Sequence, residues 1–274
     1  MSIEHLYPFA GNHAIQNVAF AFEWNTELTS NELLQIQQEL EPQLKAEFSK
    51  ILPQNTQKFS FNMDSAASGT PNFSPSVELS GLSFEKPSQF GNAQSARSLV
   101  LSKSNLVVLI NDYSRWNSIW SDVERYLSIV LLKLPNNPIQ SVGLQYSDIF
   151  TWRDDPKSFK STLVFRENSP YLIPNVHKVA GLWHSHHGYL VDRDEPQKHT
   201  CLDNVNVNLL DSSGILSLQI VTSHRATFAE PIWCKEADKL ASISATMKIL
   251  HNANKEIMYN LLSDEVCSKI NLKA

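Results

Sequence analysis

Apolar and polar residues alternate with period two from Ala14 to Trp24. Val18, Phe20, Phe22 and Trp24 fall on one side, and Asn17, Ala19, Ala21 and Glu23 on the other. That period predicts a strand with one buried face. The spacing then lengthens. Leu33, Leu40, Leu44 and Phe48 recur at helical intervals, behind Thr29 and Glu32 in capping-box spacing. Pro42 lies inside this run and is expected to kink or interrupt it, because its ring removes a helical N–H and crowds the preceding turn.

Period two returns at Lys58–Met63 and Val77–Phe84, two expected strands. Between them Asp64–Ser76, rich in Ser, Gly, Pro and Ala, reads as a loop. Ser98–Leu101 and Leu106–Asn111 read as a hairpin turning at Ser102–Asn105. Trp116, Ile119, Trp120, Val123, Leu127, Val130 and Leu134 line one face of a helix over Arg115–Leu134. Ser114 is its expected cap and Pro135 its stop. Strands are then expected at Val142–Tyr146, Ser161–Phe165, Val179–Val191, Asn204–Leu210 and Leu216–Thr222. A last long helix follows from Lys235 to Leu262, with Ser263 capping a short terminal one. Runs of strands separated by helices predict an α+β fold: antiparallel sheets with three long amphipathic helices. One unit over 1–274 is expected, with an order that suggests two similar halves, 1–112 and 113–274, each a helix on its own sheet.

Composition narrows the setting. Of 274 residues, 42% are hydrophobic and 19% charged, a globular balance, and the net charge of −5 argues against a chain built to coat nucleic acid or anionic lipid. No apolar run approaches the length of a membrane helix, and Met1–Ala10 lacks the pattern of a signal peptide. Cys201, Cys234 and Cys267 are odd in number and far apart, which predicts reduced thiols and a cytoplasmic location. Arg153, Lys157, Lys160 and Arg166 are interrupted by Asp154 and Asp155, and no nucleic-acid motif frames them. Glycine-rich phosphate loops and the nucleophile elbow are absent from the sequence.

The densest chemistry is the segment Gly181-Leu-Trp-His-Ser-His-His-Gly188. On a strand His184 and His186 share one face, a spacing that suits zinc, while Trp183, His187 and Tyr189 share the other. The alternative is strand histidines hydrogen-bonded to backbone or to Asp192 and Asp194. His199 and Cys201 also share a face, and the expectation for Cys201 is an ordinary buried thiol. Trp116 and Trp120 are expected in the core. Phe150, Trp152 and Phe159 are expected to cover the core or to anchor an interface.

Two resemblances attach to these residues. The histidine segment resembles the metal motif of the JAMM metalloproteases, in which two histidines and an acid hold zinc beside an upstream Glu base. His184 and His186 match the two histidines. Asp194 stands where that motif has Ser and Gln197 where it has the Asp ligand, so Asp192 or Asp194 would have to substitute at a different spacing; the zinc candidates are His184, His186 and Asp194, with Glu167 as the upstream acid. Across the chain, Asn12–Leu44, Tyr113-Ser-Arg-Trp116, Gly143-Leu-Gln-Tyr-Ser-Asp148 and Leu250-His251 to Glu265 resemble a sporadically distributed family of uncharacterised prokaryotic proteins of similar length. Gln145 and Asp148 replace that family's Arg and Asn, and His13-Ala14 replace its Pro-Pro. The resemblance implies no reaction, cofactor or catalytic residue, and its sporadic spread suggests an accessory or defence-linked role. The expected function is therefore a non-enzymatic binding protein with a protein partner and no cofactor. A zinc hydrolase centred on His184-Ser185-His186 is the alternative, and a homo-oligomeric subunit the second alternative.

Overall fold

The computed structural model describes residues 3–62, 72–88, 94–134, 136–233 and 237–273. In chain order the strands are β1 (Leu6–Pro8), β2 (Ile15–Trp24), β3 (Lys50–Asn62), β4 (Asn72–Lys86), β5 (Arg97–Ser102), β6 (Asn105–Ile110), β7 (Ile139–Trp152), β8 (Trp183–Arg193), β9 (His199–Ser212) and β10 (Ile215–Ile232). The helices are α1 (Ser30–Leu44), α2 (Trp116–Leu131), α3 (Ser161–Val164), α4 (Ala237–Leu261) and α5 (Asp264–Lys269). The α+β expectation holds. The separate sheets do not: all ten strands join one antiparallel sheet in the order β3-β4-β5-β6-β2-β7-β10-β9-β8, with β1 alongside the end of β7. The reason is the β2–β7 pair. Both strands put a period-two apolar row on the same face, with Val18, Phe20 and Phe22 opposite Tyr146, Leu144 and Val142. Pairing them extends one buried surface and leaves no edge between the strands of the first and second halves of the chain.

Local signals explain most elements. Thr29 Oγ1 accepts from the Glu32 amide while the Glu32 carboxylate accepts from the Thr29 amide, closing the expected capping box. Pro42 does not interrupt α1. It stands in the last turn, so any kink it causes has little helix beyond it to redirect. Ser263 caps α5 as expected. A two-residue turn at Ser213–Gly214, both at positive φ, joins β9 to β10, and Asp211 Oδ1 accepts from the Gly214 amide.

Other expectations need correction. Ser161–Phe165 is a helical turn: Ser161 and Val164, three apart, are both buried, and the Phe165 amide donates to the Ser161 carbonyl. Four or five apolar-rich residues do not fix a period. β8 begins at Trp183, leaving Val179 and Leu182 exposed ahead of it. The residue capping α2 is Arg115, not Ser114, and no side chain caps that helix. Asn72–Ser76, expected in a loop, belongs to β4. The remainder of that expected loop, Pro135 and the expected helix start at Lys235 lie outside the described residues.

The helices cover one face of the sheet and divide the core into two apolar clusters. One gathers β2, β5, β6, α1 and α2 with Leu144, Tyr146, Ile243, Met247 and Leu250. The other gathers Phe150, Trp152, Val205, Val207, Leu218 and Ile220 with α3, α5 and Ile257, Met258 and Leu261 of α4. Between the two, polar side chains stand in otherwise apolar rows: Asp148 on β7, Thr222 and His224 on β10, Asp203 on β9, and His251 and Asn254 on α4. No helix among the described residues is long and apolar enough to cross a membrane.

Candidate functional site

The polar band opens into a cavity of about 750 Å³, within the ordinary range for small-molecule sites. Its walls come from five places in the chain. His13, Ala14 and Ile15 lead into β2, Tyr113 to Asn117 open α2, and Tyr146 and Asp148 project from β7. His251, Asn254, Lys255 and Met258 come from α4, and Ile270 to Lys273 from the tail.

Asp148 holds its place through strand geometry. In β7 the buried phase runs Val142, Leu144, Tyr146, Asp148, Phe150 and Trp152, so a carboxyl at position 148 must enter the covered face. β2 leaves regular register here: Ile15 pairs with Asp148 and Asn17 with Ser147, so Gln16 is bulged out. Bulges of this kind end pairing and re-aim side chains beside functional sites. Asp148 is only 4% exposed, and burial alone pushes its carboxyl up to about 7. Among the described residues no hydrogen-bond donor or cation offsets that cost.

The surrounding groups are ordered. His251 Nδ1 lies 2.9 Å from the Tyr146 hydroxyl, and the His251 ring stacks on Trp116 at 4.1 Å and 1°. Trp116 stacks in turn on Trp120. Both tryptophans are partly buried and pack against the first apolar cluster as expected, but Trp116 also lines the cavity. Burial pushes His251 down to about 4, with the Lys255 and His224 charges acting in the same direction, so its imidazole is neutral at pH 7. Tyr113 meets His13 and Tyr146 edge to face; burial, then the Asp148 charge, push its hydroxyl up to about 12.

Behind the cavity runs a fully buried chain of contacts. His224 Nδ1 lies 2.6 Å from Asp203 Oδ1, the Cys201 thiol donates to the same oxygen at 3.2 Å, and Thr222 donates to Asn254 Oδ1. Burial opposes ionisation of Asp203, but the hydrogen bond and charge of His224 bring its carboxyl below the usual value. Burial, then Asp203, push the Cys201 thiol up to about 12. This agrees with an ordinary buried thiol, since a nucleophilic cysteine needs its thiolate.

The histidine segment stands elsewhere. β8 is an edge strand, with His184 and His186 exposed on one face and Trp183, His187 and Tyr189 half-buried on the other, as their spacing required. The strand runs unbroken to Arg193, which puts Asp194 about 26 Å from His186 at ~3.3 Å per residue. The structure brings His184 and His186 side by side and does not bring Asp194 to them. Asp192 accepts from Thr200 instead. No group of three metal-ligating side chains occurs among the described residues. Arg166 pairs with Asp264, and Arg153 covers the Tyr7 ring.

Of the segments quoted for the wider resemblance, a few residues line the cavity, among them His13, Ala14, Tyr113, Trp116, Tyr146, Asp148 and His251. Sequence reasoning did not select Asp148, His251 or Lys255. The legible signal was an acid in the apolar phase of an alternating strand, Leu144, Tyr146, Asp148, Phe150.

No family model and no curated protein matches the chain. Among solved structures it is similar to the crystal structure of the di-domain ARO/CYC BexL from the BE-7585A biosynthetic pathway. The two are 11% identical, the match covers 95% of this chain and 99% of that one, and the TM-score is 0.18. At that score nothing about this chain follows from the likeness.

Proposed function

We propose that the chain is a binding protein that holds a small ligand in the cavity between β7, α2 and α4. The observation that carries this reading is Asp148. A buried carboxyl without a partner costs a folded protein about 1–3 kcal/mol or more, and such groups persist where something outside the chain completes them. Its neighbours favour holding over turnover: His251 is neutral and engaged with Tyr146, and the nearby Cys201 is buried and protonated. The proposed setting is a reducing cytoplasm, supported by the free buried thiols of Cys201 and Cys267.

The test is a thermal-shift and native mass-spectrometry screen of a metabolite library against the wild type and Asp148→Leu. Compounds that raise the wild-type melting temperature and lose that effect in the variant are expected, with the unliganded variant more stable than the wild type. A variant that binds the same compounds equally well would remove Asp148, and with it this reading.

A protein partner is favoured by a separate observation. Among the described residues β8 is a sheet edge of eleven residues with Leu190 69% exposed, and Leu182, just ahead of it, is 57% exposed. A groove of about 610 Å³ at its start combines Phe159, Trp183 and Leu216 with Lys157, Lys160 and Lys178. An added strand fits such an edge. The first partner to test is a second copy of the chain. Multi-angle light scattering is expected to show self-association that Leu190→Lys weakens, and a monomer at every concentration would remove the self-pairing form.

A further inference from the structure

We propose that the mouth of this cavity, at the start of α2, is a site for the phosphate group of a small phosphorylated ligand. The inference rests on the binding reading above and names the chemistry of the occupant. Four observations converge. α2 opens on the cavity without a side-chain cap and without an acid in its first turn, so among the described residues no side chain caps the free amides that follow Arg115. A helix of sixteen residues presents partial positive charge at that end, and its amides are ready donors to an anion. Arg115, Lys255 and Lys273 line the same cavity, and none is in an ion pair with a described residue. Finally, Asp148, more than nine-tenths buried and without a partner, faces the same space.

The charge balance selects an anion. The chain as a whole carries −5, yet among the described residues this cavity collects three cations and a single acid. That acid does not oppose an anion when it is protonated, and burial pushes it up to about 7. A protonated Asp148 donates its O–H to a ligand oxygen, while an ionised one repels the ligand. Three cations and a helix N-terminus exceed what one carboxylate needs and suit a dianion that accepts several bonds. The remaining volume and the walls of Tyr113 and Trp116 leave room for an apolar or aromatic body.

The sign of the pH dependence follows. The titratable and charged groups lining this space are His13, Tyr113, Arg115, Tyr146, Asp148, His251, Lys255 and Lys273. His13 and His251 are both held below their usual value, first by burial, and both tyrosines above theirs, so of the groups with a resolved shift only Asp148 changes charge near pH 7. Affinity is therefore highest with Asp148 protonated and falls as pH rises past 7, by up to about tenfold per unit.

Isothermal titration of the full chain with inorganic phosphate, with acetate as the carboxylate control, tests this. Expected is phosphate binding tighter than acetate, weakened at least tenfold in Lys255→Met and in Arg115→Met. Asp148→Asn should alter phosphate affinity and retain only the pH dependence that comes from phosphate itself. The ratio of wild-type to Asp148→Asn affinity cancels the titration of phosphate itself, so it should fall above pH 7. Phosphate and acetate binding alike, or a phosphate heat unchanged in both cation variants, would overturn the phosphate site. If the library screen meanwhile yields uncharged ligands lost in Asp148→Leu, the binding reading stands and only the ligand class fails. Circular dichroism of each variant separates lost binding from lost fold.

Discussion

Two polar clusters lie on the helix-covered side of this sheet, and they are finished differently. In the first half of the chain Arg97, 10% exposed at its side chain, sits among acids. Its Nε donates to Asp112 at 2.8 Å, and its Nη1 donates to Asp122 at 2.7 Å and to the Tyr126 hydroxyl at 3.2 Å. Tyr126 donates to Glu47, which also receives Arg125 at 2.6 Å and Lys86 at 3.4 Å. Burial opposes the Arg97 charge, and the bonds to Asp112, Asp122 and Tyr126 more than offset it. Every charge there has an opposite inside the chain. Asp148 has none, in a place no more exposed. Both clusters cost desolvation, and only the first is compensated by its own sequence. The difference separates a group that ties the turn after α1 to β5 and α2 from one left open to a cavity.

The largest break of this contrast is Arg97→Met. It leaves Asp112, Asp122 and Glu47 crowded without their shared cation, and the expected loss is about 3–5 kcal/mol in urea unfolding at pH 7. A loss below about 1 kcal/mol would place the Arg97 cluster among ordinary surface pairs and erase the distinction.

Asp148→Asn should act in the opposite direction. At pH 8 the variant is expected to be more stable than the wild type by about 1–3 kcal/mol, because an ionised buried carboxyl is replaced by a neutral amide of the same shape. The gain has a pH signature. The carboxyl is raised from 3.8 to about 7 in the folded chain, so the folded state holds the proton more tightly than the unfolded state. Its cost is absent below about pH 4, grows as pH rises toward 7 and is constant above. The stability difference between variant and wild type should follow that course. A difference independent of pH would mean that Asp148 is ionised, and therefore partnered, throughout.

What the sequence made legible, and what it did not, is a matter of period. Alternation placed β2, β5, β6 and the core of β7, and helical spacing placed α1, α2 and α4, because each has one apolar face long enough to count. Ser161–Phe165 was too short to show a period and came out as a turn of helix rather than a strand. The joining of two expected sheets into one could not be read from either half: it depends on β2 and β7, whose partners run from Trp24 with Ile139 to Ile15 with Asp148, and pattern within each strand is silent about so distant a neighbour. The cavity was hidden for the same reason. His13, Tyr113, Asp148 and His251 are unremarkable alone, whereas five histidines between positions 177 and 199 draw the eye. Local density along the chain pointed to the edge strand, and convergence in space points to the seam between the core clusters. Even so, one mark was present. Asp148 occupies an apolar phase of its strand.

A smaller effect sharpens the open cluster from its other side. His251 is lowered from 6.5 to about 4, chiefly by burial, so its neutral form is favoured in the folded chain. The stability it contributes is present above pH 6.5 and is lost as pH falls toward 4. Asp148 does the reverse over nearly the same interval, and the two slopes oppose each other in the wild type. His251→Gln should therefore gain about 1 kcal/mol on the wild type at pH 5 and little at pH 8, read from denaturation midpoints. A variant equally affected at both values would show that the Trp116 stack and the Tyr146 bond, rather than the proton, set the role of His251.

The smallest expected effect belongs to the segment that looked richest. His184 and His186 project from the exposed face of an edge strand, and neither side chain has the burial that makes Arg97 or Asp148 consequential. Replacing both with Ala removes two solvated rings from a strand whose backbone bonds to β9 remain, so the unfolding free energy should change by no more than about 0.5 kcal/mol. Zinc titration of the same pair of proteins is the sharper measurement. Asp194 lies a strand's length away, so a metal held by His184 and His186 would have to draw its further ligands from solvent or from another molecule, and binding should be weak and lost in the double variant. Tight stoichiometric zinc, with a stability cost of several kcal/mol in the double variant, would instead make the edge strand a third polar cluster, completed like the Arg97 network but by a metal.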